Sequence, residues 1–109
     1  MRLLLTRAGL PEPELNHRVE DRWGSLIALL DGAFPEAKVA YEYQGDHHRT
    51  DVTTYRNDMV RRERLADLGW DIVFVSADDL RFRPHETVAR LRRRLLRHSV
   101  TATTLKWHP

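Results

Sequence analysis

Two carboxylates, a carboxamide and a pair of imidazoles fall within residues 31–48: Asp31, Glu42, Gln44, His47 and His48. Two carboxylates held close together repel each other unless a proton or a cation sits between them. Mg²⁺ takes oxygen ligands, keeps several waters and bridges to phosphate. Asp31 and Glu42 are therefore candidate Mg²⁺ ligands, with Mn²⁺ able to take the same place, and the backbone carbonyl of Tyr43 is a candidate third ligand. A metal there would acidify a bound water and stabilise charge on a phosphate under in-line attack. Gln44 could orient that water but carries no charge. One of His47 and His48 suits a proton shuttle or phosphate contact, because imidazole titrates near neutrality. Arg49 and Arg61 are the candidate nucleic-acid contacts, since the planar guanidinium fork matches phosphate oxygens.

Several of these residues also have a plainer reading. Asp31 precedes Gly32, and an aspartate before glycine is common in hairpin turns. His47 and His48 suit a solvated loop equally well. Asp58 and Arg61 stand three apart on a helical stretch, which makes a surface ion pair the default. Glu42 is harder to set aside. It lies within an otherwise apolar strand, where a partly buried carboxylate needs a partner.

The elements that must position these groups follow from periodicity. Residues 2–9 read as a short helix stopped by Gly9 and Pro11. Glu14 to Glu20 alternates loosely as a strand, and Asp21-Arg22-Trp23-Gly24 is a turn with glycine last. Ser25 to Leu30 is a short apolar strand that stops at Asp31-Gly32. Pro35-Glu36 turns the chain again. From Lys38 to Gln44 a third strand puts Val39, Tyr41 and Tyr43 on one face and Ala40, Glu42 and Gln44 on the other. Three strands joined by short turns make an antiparallel meander.

A helix from about Thr53 to Leu68 carries Tyr55, Met59 and Ala66 near one face, with Leu65 and Leu68 beside them, and Gly69 at C′ closes it. Trp70 to Val75 is a β-branched strand, and Ser76-Ala77-Asp78-Asp79 is a turn. The last helix begins near Pro84 and runs to about Arg97, with Val88, Leu91 and Leu95 as its apolar stripe. The strand after the long helix needs a crossover, so it pairs in parallel. The expected class is α/β with one mixed sheet, a single domain over 1–97 and a loose tail over 98–109.

The 109 residues, 41% hydrophobic and 31% charged, describe a globular chain and exclude a disordered one. With no cysteine there is no disulfide framework and no thiolate zinc site, which suits a reducing cytoplasm. No apolar run reaches the length of a membrane span, and Arg7 interrupts the opening apolar stretch, which argues against a signal peptide. Residues 1–55 hold 6 Lys+Arg against 9 Asp+Glu, whereas 56–97 hold 11 Arg against 7 acids. An acidic part beside an arginine-rich part suits a metal-dependent enzyme acting on a polyanion such as DNA, and it equally suits two ordinary solvated surfaces.

One resemblance covers roughly residues 8–97. Asp31, Pro35-Glu36, Glu42-Tyr43-Gln44-Gly45, His47-His48, Asp58 with Arg61, Leu65 and Gly69-Trp70, in that order, resemble the family related to the very short patch repair (Vsr) endonucleases. Members of that family are also grouped under the label domain of unknown function 559, within the PD-(D/E)XK nuclease superfamily. The resemblance implies a PD-(D/E)XK (restriction-endonuclease-like) fold and metal-dependent cleavage of DNA phosphodiesters, in repair or in defence. It matches Asp31 to the metal-binding aspartate, Glu42 to the second acidic position, and His47 and His48 to paired histidines that handle water and metal. Gln44 stands where the superfamily usually has lysine and this family often has aspartate.

Two other readings stay open beside the Mg²⁺-dependent endonuclease. No acid precedes Glu12 and position 44 is a neutral amide, which also suits a weak or inactive nuclease remnant that binds nucleic acid. A protein-interaction module is the third. A homodimer and a separate protein partner are both open.

Overall fold

The computed structural model describes residues 1–44 and 52–98. The elements run in the order α1 (Arg2–Arg7), β1 (Glu14–Glu20), β2 (Leu26–Phe34), β3 (Val39–Gln44), α2 (Val52–Asp67), β4 (Asp71–Ser76), α3 (Ala77–Phe82) and α4 (Pro84–His98). The four strands form one mixed sheet in the order β1-β2-β3-β4. β1–β2 and β2–β3 are antiparallel, and β3–β4 is parallel, joined by the α2 crossover. The α/β class and the mixed sheet are as the periodicity predicts.

Each turn has a chemical cause. Asp21 closes the first hairpin by accepting the backbone N–H of Trp23 and of Ser25 through one carboxylate oxygen, each at 2.9 Å. Those bonds, the one from Ser25 foremost, hold its carboxyl below the ordinary 3.8. Gly24 supplies the left-handed backbone, at φ +83°. The C-terminus of α2 ends as predicted at Gly69, φ +90°, where Trp70 N–H reaches Leu65 O and Gly69 N–H reaches Ala66 O, a Schellman pattern. Lys38 caps the same helix end by donating to Leu68 O at 2.8 Å.

The sheet separates two cores. Leu5 of α1 and Val88, Leu91 and Leu95 of α4 pack with Phe34, Val39, Tyr41, Val73 and Val75 on one face. On the other, Leu65 of α2 packs with Val19, Ala28, Leu30, Ala33 and Ala40. Strand β2 contributes to both. Regular alternation would keep Phe34 on the side of Ala28 and Leu30, yet Phe34 joins the α1/α4 core while Ala33 stays with α2. The strand therefore changes face at Asp31-Gly32. Its neighbour is irregular at the same level: Asn16, which lies between the pairs Leu15↔Gly32 and His17↔Leu30, is left-handed at φ +52°.

Three expectations need correction. Strand β2 does not stop at Asp31-Gly32 but runs on to Phe34, so Asp31 is not a turn residue. Gly32 is there for space: a Cβ at that position would lie 2.0 Å from the Tyr41 ring. Second, Ser76 to Asp79 is not a simple turn but the N-terminus of α3, closed by a capping box. Ser76 Oγ accepts Asp79 N–H, and Asp79 accepts Ser76 N–H, each at 3.0 Å. The α2 face that carries Tyr55 and Met59 is turned away from the core. They are 57% and 46% exposed, and Leu65 supplies the α2 anchor. Third, His98, expected as the first residue of the tail 98–109, closes α4 and reaches Asp71, while the rest of that tail, Trp107 included, lies outside the described residues.

Candidate functional site

Asp31 and Glu42 stand on adjacent strands, as the spacing predicts. The β2–β3 pairing runs from Phe34↔Val39 to Gly32↔Tyr41. Beyond that point the Asp31 side chain continues the connection, its Oδ2 accepting the backbone N–H of Tyr43 at 2.8 Å. Asp31 sits where β2 changes face, which gives its carboxylate access to a neighbouring backbone. Within a strand the N–H and C=O of one residue point the same way. The Tyr43 carbonyl therefore also faces the β2 side, toward the candidate aspartate.

Glu42 shares the α2 face with Ala40, and its carboxylate is only 13% exposed. Arg61 of α2, itself 26% exposed, donates to Glu42 Oε1. The ion pair expected for Arg61 was with Asp58 on its own helix. In the structure the guanidinium crosses to the sheet, where Glu42 is largely withdrawn from water and a carboxylate without a positive partner is costly. Beside the pair lies a groove of about 820 Å³ whose lining includes Glu42, Gln44, Tyr55, Met59, Arg62 and Phe74. Gln44, exposed at the end of β3, is in register with Ser76 of β4. The Arg62 guanidinium sits 4.2 Å from the centre of the Phe74 ring, a cation–π contact.

The opposite face of β3 carries Tyr41 and Tyr43, ring centroids 5.8 Å apart. Tyr41 is fully buried, and its hydroxyl finds no hydrogen-bond partner among the described residues. Burial drives its pKa far above the ordinary phenol value, with Tyr43 and Asp31 adding to the effect. Burial and then Asp31 raise Tyr43 as well.

The structure thus joins Asp31 to the Tyr43 backbone and Glu42 to Arg61, and leaves Gln44 on the groove rim. His47, His48 and Arg49 lie outside the described residues. Among the described residues no three of the His, Cys, Asp and Glu side chains gather as a metal-holding group. The oxygens present do fit a hard divalent cation in kind: two carboxylates carried by adjacent strands, with the Tyr43 carbonyl on the Asp31 side. The sequence reading missed Arg62, Phe74 and the exposure of Tyr55 and Met59. The signal lay in α2 itself, where Arg61-Arg62 interrupts the apolar positions.

No family model matches the chain, and no solved structure matches it. The chain is 33% identical over 94 residues to two curated proteins of Mycobacterium tuberculosis, uncharacterized protein MT2308 of strain CDC 1551 / Oshkosh and uncharacterized protein Rv2248 of strain ATCC 25618 / H37Rv. The match takes in 86% of this chain and 34% of each relative, so the chain spans about a third of the length of the curated relatives it matches. No described helix is long and apolar enough to cross a membrane.

Proposed function

We propose that this domain is a PD-(D/E)XK-type, divalent-cation-dependent endonuclease domain acting on DNA. The observation that carries the reading is the bond from the Tyr43 N–H to Asp31, which ties the candidate aspartate to the strand bearing Glu42. Asp31, Glu42 and the Tyr43 carbonyl would hold Mg²⁺ or Mn²⁺, and the cation would supply an acidified water and charge stabilisation at a phosphate. The chain's own contribution is positional. The Tyr43 N–H orients the Asp31 carboxylate, the sheet holds Glu42 largely withdrawn from water, and Gln44 at the groove rim can accept from and donate to a water. His47 or His48 would move the proton, and Arg49 and Arg61 would meet phosphate.

The test is plasmid nicking by purified protein with Mg²⁺, with Mn²⁺ and with chelator. The expected result is metal-dependent nicking, abolished in both Asp31→Ala and Asp31→Asn, with circular dichroism showing that the variants stay folded. Cleavage retained in a folded Asp31 variant overturns the assignment.

A second reading is favoured by the Glu42–Arg61 ion pair, which already neutralises the second acid. In it the domain is a catalytically silent relative of such nucleases that binds nucleic acid. Salt-sensitive DNA binding with no metal-dependent turnover distinguishes it.

A further inference from the structure

Arg61 occupies the place of a cation. Its guanidinium donates to Glu42 Oε1 from across the α2–sheet boundary, with both side chains largely withdrawn from water. A partly buried carboxylate is costly without a positive partner, and here the protein supplies that partner itself. Two cations cannot share one carboxylate cheaply. At a few ångströms their repulsion amounts to several kcal/mol even with a moderately polar interior, and a divalent ion doubles it. A metal ion at Glu42 therefore competes with the guanidinium for the same carboxylate.

The way out is open on one side. Arg61 and Arg62 both border the groove beside Glu42, and Arg62 is engaged with Phe74. A released Arg61 has the groove to turn into without disturbing the Leu65 anchor of the helix.

We propose that Arg61 is a built-in competitor for the metal at Glu42: it keeps the site charge-balanced when metal is scarce and sets the cation concentration at which the site loads. The inference rests on Glu42 being a metal ligand. Arg61 thereby acts on the metal through Glu42, as a positioning residue.

Titration calorimetry with Mn²⁺ on the wild-type chain, Arg61→Gln and Glu42→Gln tests it without any cleavage assay. Arg61→Gln is expected to bind Mn²⁺ roughly 5- to 100-fold more tightly than wild type, the usual range for coupling between linked sites. Glu42→Gln is expected to lose the binding. Equal or weaker affinity in Arg61→Gln, with Glu42→Gln still defective, overturns the competition and leaves the metal reading standing. Wild-type affinity in Glu42→Gln overturns both. A measurement on the unmodified sequence guards against a variant that fails to fold. The side-chain N–H resonance of Arg61, assigned with Arg61→Lys, should shift on saturation with Mg²⁺, and a resonance that stays put overturns the proposal.

Discussion

The Tyr41 hydroxyl is buried beneath the α1/α4 layer with no hydrogen-bond partner among the described residues. A desolvated, unpaired hydroxyl costs more than it returns, so Tyr41→Phe is expected to hold or raise stability, by about 1 kcal/mol. The same burial gives a sign for pH. The folded-state pKa of Tyr41 lies above its ordinary 10.0, so the folded chain keeps a proton that the unfolded chain gives up. Stability is then whole below pH 10 and falls as pH rises beyond it. Thermal melts at neutral pH and above pH 10 should show a smaller alkaline loss in Tyr41→Phe than in wild type, and equal losses would refute the point. Residue identity alone made Asp31, Glu42 and the β3 faces legible, because a strand's period of two leaves little choice. It could not reveal that Arg61 reaches Glu42, since that contact depends on how α2 lies over the sheet. Nor could it show that Gly32 serves the Tyr41 ring: glycine before an apolar stretch reads as punctuation unless its neighbour across the sheet is known.

Among the elements, α3 shows how a short helix survives. It has six residues and fully buries none of them, so its capped termini add to the partial packing of Leu80 on the core. Ser76 and Asp79 close the first turn reciprocally, and Asp79 also receives Arg83 at 3.1 Å and Arg90 at 3.5 Å. These contacts, led by the Ser76 backbone N–H, hold the Asp79 carboxyl below its ordinary 3.8. Its contribution is present above that pH and disappears as pH falls through the lowered folded value. Ser76→Ala should cost about 1 kcal/mol. Asp79→Asn should lower the melting temperature at neutral pH, and the gap to wild type should close in strong acid. A gap that persists there would show that the role is steric. The turn reading of residues 76–79 was a near miss, because a serine three residues before an aspartate serves turns and helix caps alike. The long elements, α2 and α4, were legible to within a residue or two at each end, where a glycine cap and a first-turn proline mark the boundaries.

Across the whole molecule the charge asymmetry of the two halves is largely spent internally. Arg61 and Arg64 reach Glu42 and Asp21 of the first half. Arg83 and Arg90 converge on Asp79, Arg94 meets Asp71, and Arg92 donates to Ala8 O at 2.8 Å. Sequence counts suggest an arginine face for a polyanion, but the fold uses many of those arginines as internal ties. On the proposed nuclease reading, binding to DNA should therefore depend on salt only moderately, with a slope matching roughly two to four phosphates. Anisotropy titrations across salt concentrations measure it, and a slope near ten would mean that the pairs open on DNA. Strand β2 has a further consequence. Its first half walls the α2 core alone, while past Asp31-Gly32 it serves both cores, Ala33 on the α2 side and Phe34 on the α1/α4 side. Neither core can lose β2 without the other losing part of its wall. The two cores therefore form one cooperative folding unit, and the candidate aspartate sits at the joint between them.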